Sequence, residues 1–121
     1  FGYHNHAWEF EKVNDEYILD IIFAAASSQV EAQLDLGWVF RGGEDPVKYL
    51  RKYAGRCPTV HVKDFKEGRQ VEVCHGDLDL AGVIAAAREV GVEWLIVETE
   101  EYTMAPIDSV AVGLKNIKAL L

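Results

Sequence analysis

Short β-type runs alternate along the chain with stretches of helical periodicity. Phe1 to His4 is the first strand candidate. Asp15 stands where it would cap a helix running to about Ala26, with Ile18, Leu19, Ile22 and Ala26 on one stripe. Val30 to Leu36 reads as a second strand, ended by Gly37. Asp45-Pro46 is an N-cap followed by proline at the first helical position. Val47, Leu50 and Ala54 keep helical spacing after it, and Gly55 closes that helix. Thr59 to Lys63 is a short, β-branched third strand. Asp79 caps a helix bearing Leu80, Val83, Ile84, Ala87 and Val90, closed by Gly91. Glu93 to Val97 is the strongest strand pattern. After Pro106 a last helix carries Val110, Leu114, Ile117 and Leu121 on one stripe, with Lys115 and Lys118 near its C-terminus, where the helix dipole favours cations.

The order is therefore β-α-β-α-β-α-β-α, with a repeat of about 30 residues, the length of one βα unit. Such alternation predicts an α/β fold with a mainly parallel sheet and right-handed crossovers. No low-complexity or linker-like run interrupts it. The one long connection, Asp64 to Asp79, is polar and contains glycine, and connections of that length often carry function.

Composition narrows the function. The chain has 121 residues, half of them hydrophobic, enough for one modest core. Twelve basic residues against 20 acidic ones give a formal charge of −8, which argues against a nucleic-acid binder. No apolar run reaches the ~18 residues of a membrane span, and no basic-then-apolar leader opens the chain. Cys57 and Cys74 form no CxxC, so neither a disulfide framework nor a thiolate zinc site is expected. A reducing, cytoplasmic setting is the expectation. The chain starts at Phe1 with no Met and already reads as strand, so the start is expected to be a cut one.

The chemistry sits at the strand ends. His4 closes the first strand, Asp35 the second, His61 the third and Glu98 the fourth. In parallel α/β architectures these ends share one face, which carries the active site. Each residue alone has a plainer explanation. A strand-end histidine commonly hydrogen-bonds its neighbours, Asp35 before Gly37 suits a turn, and Glu98 opens the acidic run Glu98-Thr99-Glu100-Glu101. Agreement among four separate strands is what points to a metal. Two imidazoles and two carboxylates suit Mn²⁺, Co²⁺, Fe²⁺ or Zn²⁺.

Four motifs then carry a resemblance. Tyr3-His4-Asn5-His6 followed by Trp8-Glu9-Phe10, Gln33-Leu34-Asp35-Leu36-Gly37-Trp38, Arg56 through His61-Val62-Lys63-Asp64, and Val97-Glu98-Thr99-Glu100 resemble, in order, the signatures of the sugar phosphate isomerase/epimerase family. The likeness extends over essentially the whole chain. It implies a xylose isomerase-like TIM barrel of which residues 1–121 form the C-terminal half, and a divalent metal (Mn²⁺, Co²⁺, Zn²⁺ or Mg²⁺). Asp35, His61 and Glu98 match three ligand positions of the family. His4 takes the place where many relatives carry a glutamate, as in the YHNH subgroup and similar to 2-keto-myo-inositol dehydratases. Family epimerases exchange a proton between two facing glutamates, and here only Glu98 remains of that pair.

Glu98 is the first choice for catalytic base, because a metal-held carboxylate is fixed close to a chelated substrate, and the resemblance implies Lys63 near the site, binding an oxyanion or a substrate hydroxyl. The competing reading of Lys63 is an interior ion pair with Asp64. His6 and Glu9 follow as acid/base or supporting groups, with Glu9 also a candidate substrate contact. Trp38 stands where several relatives have a histidine, and either walls the substrate pocket or packs at the rim. Trp8, Phe10 and Phe40 are expected to pack. His75 lies where relatives commonly read Gly-Glu-Gly, and is not counted with the site.

The implied activity is metal-dependent isomerisation or epimerisation of a small sugar, sugar phosphate or keto-polyol through an enediolate. A keto-inositol dehydratase on the same site, or a non-catalytic half-barrel, are the alternatives. Abasic-site endonuclease activity, found in distant relatives, is disfavoured by the acidic charge. A full (β/α)₈ barrel takes ~250 residues. Four units alone are expected to leave two strand edges and an apolar inner sheet face uncovered. The partner is then the missing N-terminal half-barrel or, second, another copy of the chain.

Overall fold

The computed structural model describes all residues from Phe1 to Leu121. Its centre is a four-stranded sheet in the order β1 (Gly2–His4), β4 (Glu31–Asp35), β5 (Thr59–Val62) and β8 (Trp94–Val97), and every pair is parallel. Five helices connect or follow the strands: α1 (Ile18–Ala25), α2 (Leu36–Arg41), α3 (Pro46–Lys52), α4 (Leu80–Glu89) and α5 (Pro106–Leu120). Two small antiparallel hairpins sit outside the sheet. One joins β2 (Lys12–Val13) to β3 (Glu16–Tyr17), the other β6 (Asp64–Lys66) to β7 (Arg69–Val71).

Period-2 alternation divides each strand between two faces. Ala32, Leu34, Val60 and Val62 face the helices and are fully or almost fully buried. They meet Leu19 and Phe23 of α1, Tyr49 and Leu50 of α3, and Leu80, Val83, Ile84 and Ala87 of α4 in one core. Each buried Val, Leu, Ile or Phe side chain among them contributes about 1.5–3 kcal/mol. Two predicted caps form as expected: Asp45 accepts from Val47 N, and Asp79 accepts from Gly82 N.

Four expectations are corrected. Asp15 does not cap α1: Asn14 and Asp15 take positive φ in the β2–β3 turn, and the helix starts only at Ile18 behind Tyr17. The second strand stops at Asp35, whose carboxylate caps α2 by accepting from Trp38 N, so Leu36 and Gly37 are helical. Gly37 is needed there, because a Cβ would lie 2.6 Å from the Lys63 carbonyl oxygen. The Asp64–Asp79 connection is not simply loop but holds the β6–β7 hairpin. On α5 the predicted stripe splits: Ile117 is buried with Ser109 and Gly113, whereas Val110, Leu114 and Leu121 are exposed. Gly113 lets α5 close on Val97, and no further unit covers its other side.

The sheet's inner face is open, but it is mixed rather than apolar. Glu31, Gln33 and Thr59 share it with Trp94 and Ile96, which are 65% and 42% exposed. Of the large exposed apolar residues, Trp94, Ile96, Ile107, Val110 and Leu114 lie on β8 and α5.

Candidate metal centre

Parallel pairing gathers the four strand ends in a stagger. Asp35 lies opposite His61 in the ladder, whereas His4 ends β1 two residues earlier, opposite Gln33. Glu98 follows directly on β8, with its amide bonded to the Val62 carbonyl. One nitrogen or carboxylate oxygen from each of His4, Asp35, His61 and Glu98 lies within 4.8 Å of every other. His4 Nε2 is 3.3 Å from Asp35 Oδ2 and 3.7 Å from Glu98 Oε2, and His61 Nδ1 hydrogen-bonds the same Glu98 oxygen. The His4 and His61 rings are 4.6 Å apart.

Asp35 is held on all sides. Its Oδ1 accepts from Trp38 N, its Oδ2 faces His4 and Lys63, and its side chain is 0% exposed. Its backbone pairs with Asn5, whose Oδ1 accepts from Asp35 N at 3.0 Å and whose Nδ2 donates to Asp35 O at 3.3 Å. Asn5 thereby ties the end of β1 to the end of β4. The Asp35 hydrogen bond raises the His4 pKa above its ordinary value, against burial, which lowers it. Burial acts to raise the Glu98 carboxyl. The His61 hydrogen bond and the charges of Lys63 and the two histidines outweigh it and hold Glu98 below the usual range.

Lys63 is completely buried beside the cluster. Its ammonium stands 3.4 Å from Asp35, 3.6 Å from Glu98 and 3.1 Å from Glu100, over the Trp38 ring, and makes no hydrogen bond. The predicted Asp64 partner is not among these. The Asp64 carboxylate instead accepts from the backbone N–H of Phe65, Cys74, Gly76 and Leu78, folding the connection around itself.

His6 is exposed, with its ring 4.9 Å from that of His4 and 5.9 Å from that of Trp38. Trp38 is half-buried between His6, Lys63 and Phe65. Glu9 is buried and does not face the cluster with a free oxygen. It accepts from Tyr3 OH at 3.0 Å and from His6 N at 2.8 Å, bracketing the His4–His6 segment. Phe10 packs in the core as expected, whereas Trp8 is about half exposed and Phe40 lies at the surface. His75 is exposed. Asn5 and Gln70 are the contributors that motif spacing assigned no role. The alternation of Gln70, Val71, Glu72 and Val73 was the available sign of a strand there.

Parallel βα units that gather histidines and carboxylates at the carboxyl ends of their strands define a protein of the (β/α)-barrel class. The chain belongs to the xylose isomerase-like TIM barrel family, whose sequence profile matches residues 1–120. Among solved structures it is similar to a sugar phosphate isomerase/epimerase from Parabacteroides distasonis, with TM-score 0.83 and 25% identity over 98% of this chain and 44% of that one. It shares the fold of a xylose isomerase domain protein from Planctomyces limnophilus, with TM-score 0.73 and 19% identity over 97% of this chain and 43% of the other. It also shares the fold of a D-tagatose 3-epimerase-like protein, with TM-score 0.66 and 16% identity over 86% and 39%. The chain thus spans less than half the length of each. A comparison with curated proteins found no match.

Proposed function

We propose that residues 1–121 are the C-terminal half of a (β/α)₈ barrel, and that His4, Asp35, His61 and Glu98 hold a divalent cation for isomerisation or epimerisation of a small keto-sugar, sugar phosphate or keto-polyol. The carrying observation is a charge balance. Three carboxylates, from Asp35, Glu98 and half-exposed Glu100, surround one ammonium, an excess of negative charge that a divalent cation would offset. The N₂O₂ donor set fits Mn²⁺, Co²⁺, Fe²⁺ or Zn²⁺ better than a purely oxygen-seeking ion. When bound, the ion would stabilise negative charge developing on a carbonyl and its neighbouring hydroxyl oxygen.

The chain's own groups supply the proton chemistry. The hydrogen bond and ion-pair contacts of the Glu98 carboxylate run through Oε2, and its side chain is 27% exposed, so Oε1 is free to take a proton from carbon. Asp35 is sealed, with both oxygens engaged, and does not serve as a second base. Lys63 is aimed at the same centre, and its spare donors suit a substrate oxygen. His6, at the exposed rim, is placed for acid/base exchange with solvent, and Trp38 walls the site. Glu9 supports His6 from behind. One accessible carboxylate favours proton transfer on a single face of the substrate. That gives isomerisation by return of the proton to the neighbouring carbon, and it equally suits loss of a β-hydroxyl, the dehydratase reading.

Incubating the completed barrel with a panel of keto-sugars in D₂O separates these outcomes. Deuterium in an isomeric sugar supports single-face transfer, deuterium in an epimeric sugar calls for a second proton donor on the opposite face, and an unsaturated or dehydrated product supports the lyase. The Glu98→Gln chain is expected to give neither. No exchange with any metal-loaded sample, or full exchange in Glu98→Gln, contradicts the assignment.

A further inference from the structure

Besides Asp64, the connection between β5 and α4 contains two buried polar side chains that touch no metal-site side chain. Gln70 and Glu72 stand two residues apart, on and just beyond β7, so strand alternation sends both to the same side. That side is the segment leaving β8. Gln70, 4% exposed, donates from Nε2 to the Glu98 carbonyl at 2.9 Å and accepts from Glu100 N and Glu101 N at 3.0 and 3.2 Å. Glu72, 2% exposed, accepts from Thr103 Oγ1 at 2.6 Å and from Thr103 N at 3.3 Å. The Thr103 hydrogen bond leads the interactions that hold the Glu72 carboxyl down to about 2.

Residues 98 to 103 have no helix or strand of their own. The Gln70 amide stands in for a neighbouring strand, bonding one carbonyl and two N–H groups that a coil would otherwise leave to water. The hairpin that carries it is itself fixed by Asp64 and its four backbone donors. Gly76 permits that closure, because a Cβ there would lie 2.1 Å from Asp64 Oδ1.

We infer that Gln70, backed by Glu72, is a positioning residue for the metal centre: it fixes the backbone from Glu98 to Glu101, aiming the Glu98 carboxylate at His4, Asp35 and His61 and the Glu100 carboxylate at Lys63. The inference rests on the metal-site reading proposed above, and its test keeps the two apart. Two variants of the whole chain serve. Gln70→Leu removes all three hydrogen bonds. Gln70→Glu keeps the acceptor for the Glu100 and Glu101 amides and loses the donor to the Glu98 carbonyl.

Two readouts are taken on each: Co²⁺ titration with the visible ligand-field spectrum, and amide hydrogen exchange in the metal-free protein. In Gln70→Leu the Co²⁺ affinity is expected to fall by about 10–100-fold, as for loss of a group that orients a ligand. Its spectrum is expected to change, and exchange at the Glu100 and Glu101 amides to accelerate while the β5 amides stay protected. Gln70→Glu should recover part of the affinity and most of the protection at Glu100 and Glu101. Wild-type Co²⁺ affinity and spectrum in a folded Gln70→Leu chain, or unchanged exchange at both amides, overturns the inference. Absence of Co²⁺ binding by the unaltered chain defeats the metal reading instead, and the exchange of Glu100 and Glu101 still decides whether Gln70 fixes the segment. If Gln70→Leu does not fold, wild-type affinity in Gln70→Glu with wild-type exchange at Glu100 and Glu101 is the overturning result.

Discussion

The imidazole of His4 responds to two opposing demands. Its hydrogen bond to Asp35 favours the protonated ring and raises its pKa, whereas cation binding needs the neutral ring. His4 should therefore make metal affinity rise with pH, contributing up to about tenfold per unit below its raised pKa and nothing further above it. The metal-free chain behaves in the opposite sense. A raised histidine pKa stabilises the fold fully below the ordinary value of about 6.5, and that stabilisation fades as pH climbs through the raised one. Co²⁺ titrations from acid to neutral pH check the first trend, and a pH-independent affinity would exclude His4 as a ligand. At this scale the convergence of His4, Asp35, His61 and Glu98 was legible because strand register needs only spacing and alternation. The partners of Lys63 were not. Asp64 follows it in sequence, but its carboxylate is engaged by four backbone donors, and Lys63 instead meets carboxylates from β4 and from the end of β8. Gln70 was also hidden, since its bonds go to backbone atoms about thirty residues away, which side-chain chemistry does not reveal.

Among the elements, the strands and the capped helices α3 and α4 follow from caps, proline and apolar spacing. The misreadings at Asp15 and Asp35 share one cause: local turn and cap chemistry outweighed periodicity. Asp15 had cap chemistry but lies in a hairpin turn, and Asp35 proved to be both strand end and helix cap. Arg56 shows how a motif residue can act on an element rather than on a substrate. Its guanidinium donates to the carbonyls of Phe23, Ala26, Ser27 and Val30, closing the C-terminal end of α1 and the connection to β4. Lysine has the charge but not the planar fork needed to reach four carbonyls. Arg56→Lys should lower the unfolding free energy by about 1.5–3 kcal/mol, read from urea denaturation. A change within ~0.5 kcal/mol, as for an ordinary surface substitution, would show that these bonds add nothing.

For the whole molecule the exposed surface is as informative as the core. β1 and β8 are each paired on one side only. On β8, the open face of the sheet carries Trp94 and Ile96, and α5 presents Ile107, Val110 and Leu114, with Leu121 just beyond it. That concentration exceeds what scattered apolar residues explain and marks a surface made to be covered. The 121-residue chain alone should bind a hydrophobic dye or self-associate with concentration, and Trp94→Lys with Ile96→Lys should reduce both. A dye-silent monomer across the micromolar range would contradict it. No helix is long and apolar enough to cross a membrane. Four parallel βα units were readable from the repeat, and the half-barrel from the motif resemblance, but the polar share of the inner face was not, since Glu31, Gln33 and Thr59 look like surface positions until the ladder register is known. The central claim is that four strand ends make one cation site. Its most direct test is Co²⁺ titration of the chain, unaltered and as His61→Ala. One Co²⁺ per chain with a ligand-field spectrum, lost in His61→Ala, is the predicted result; no stoichiometric binding, or binding untouched by the substitution, would contradict it.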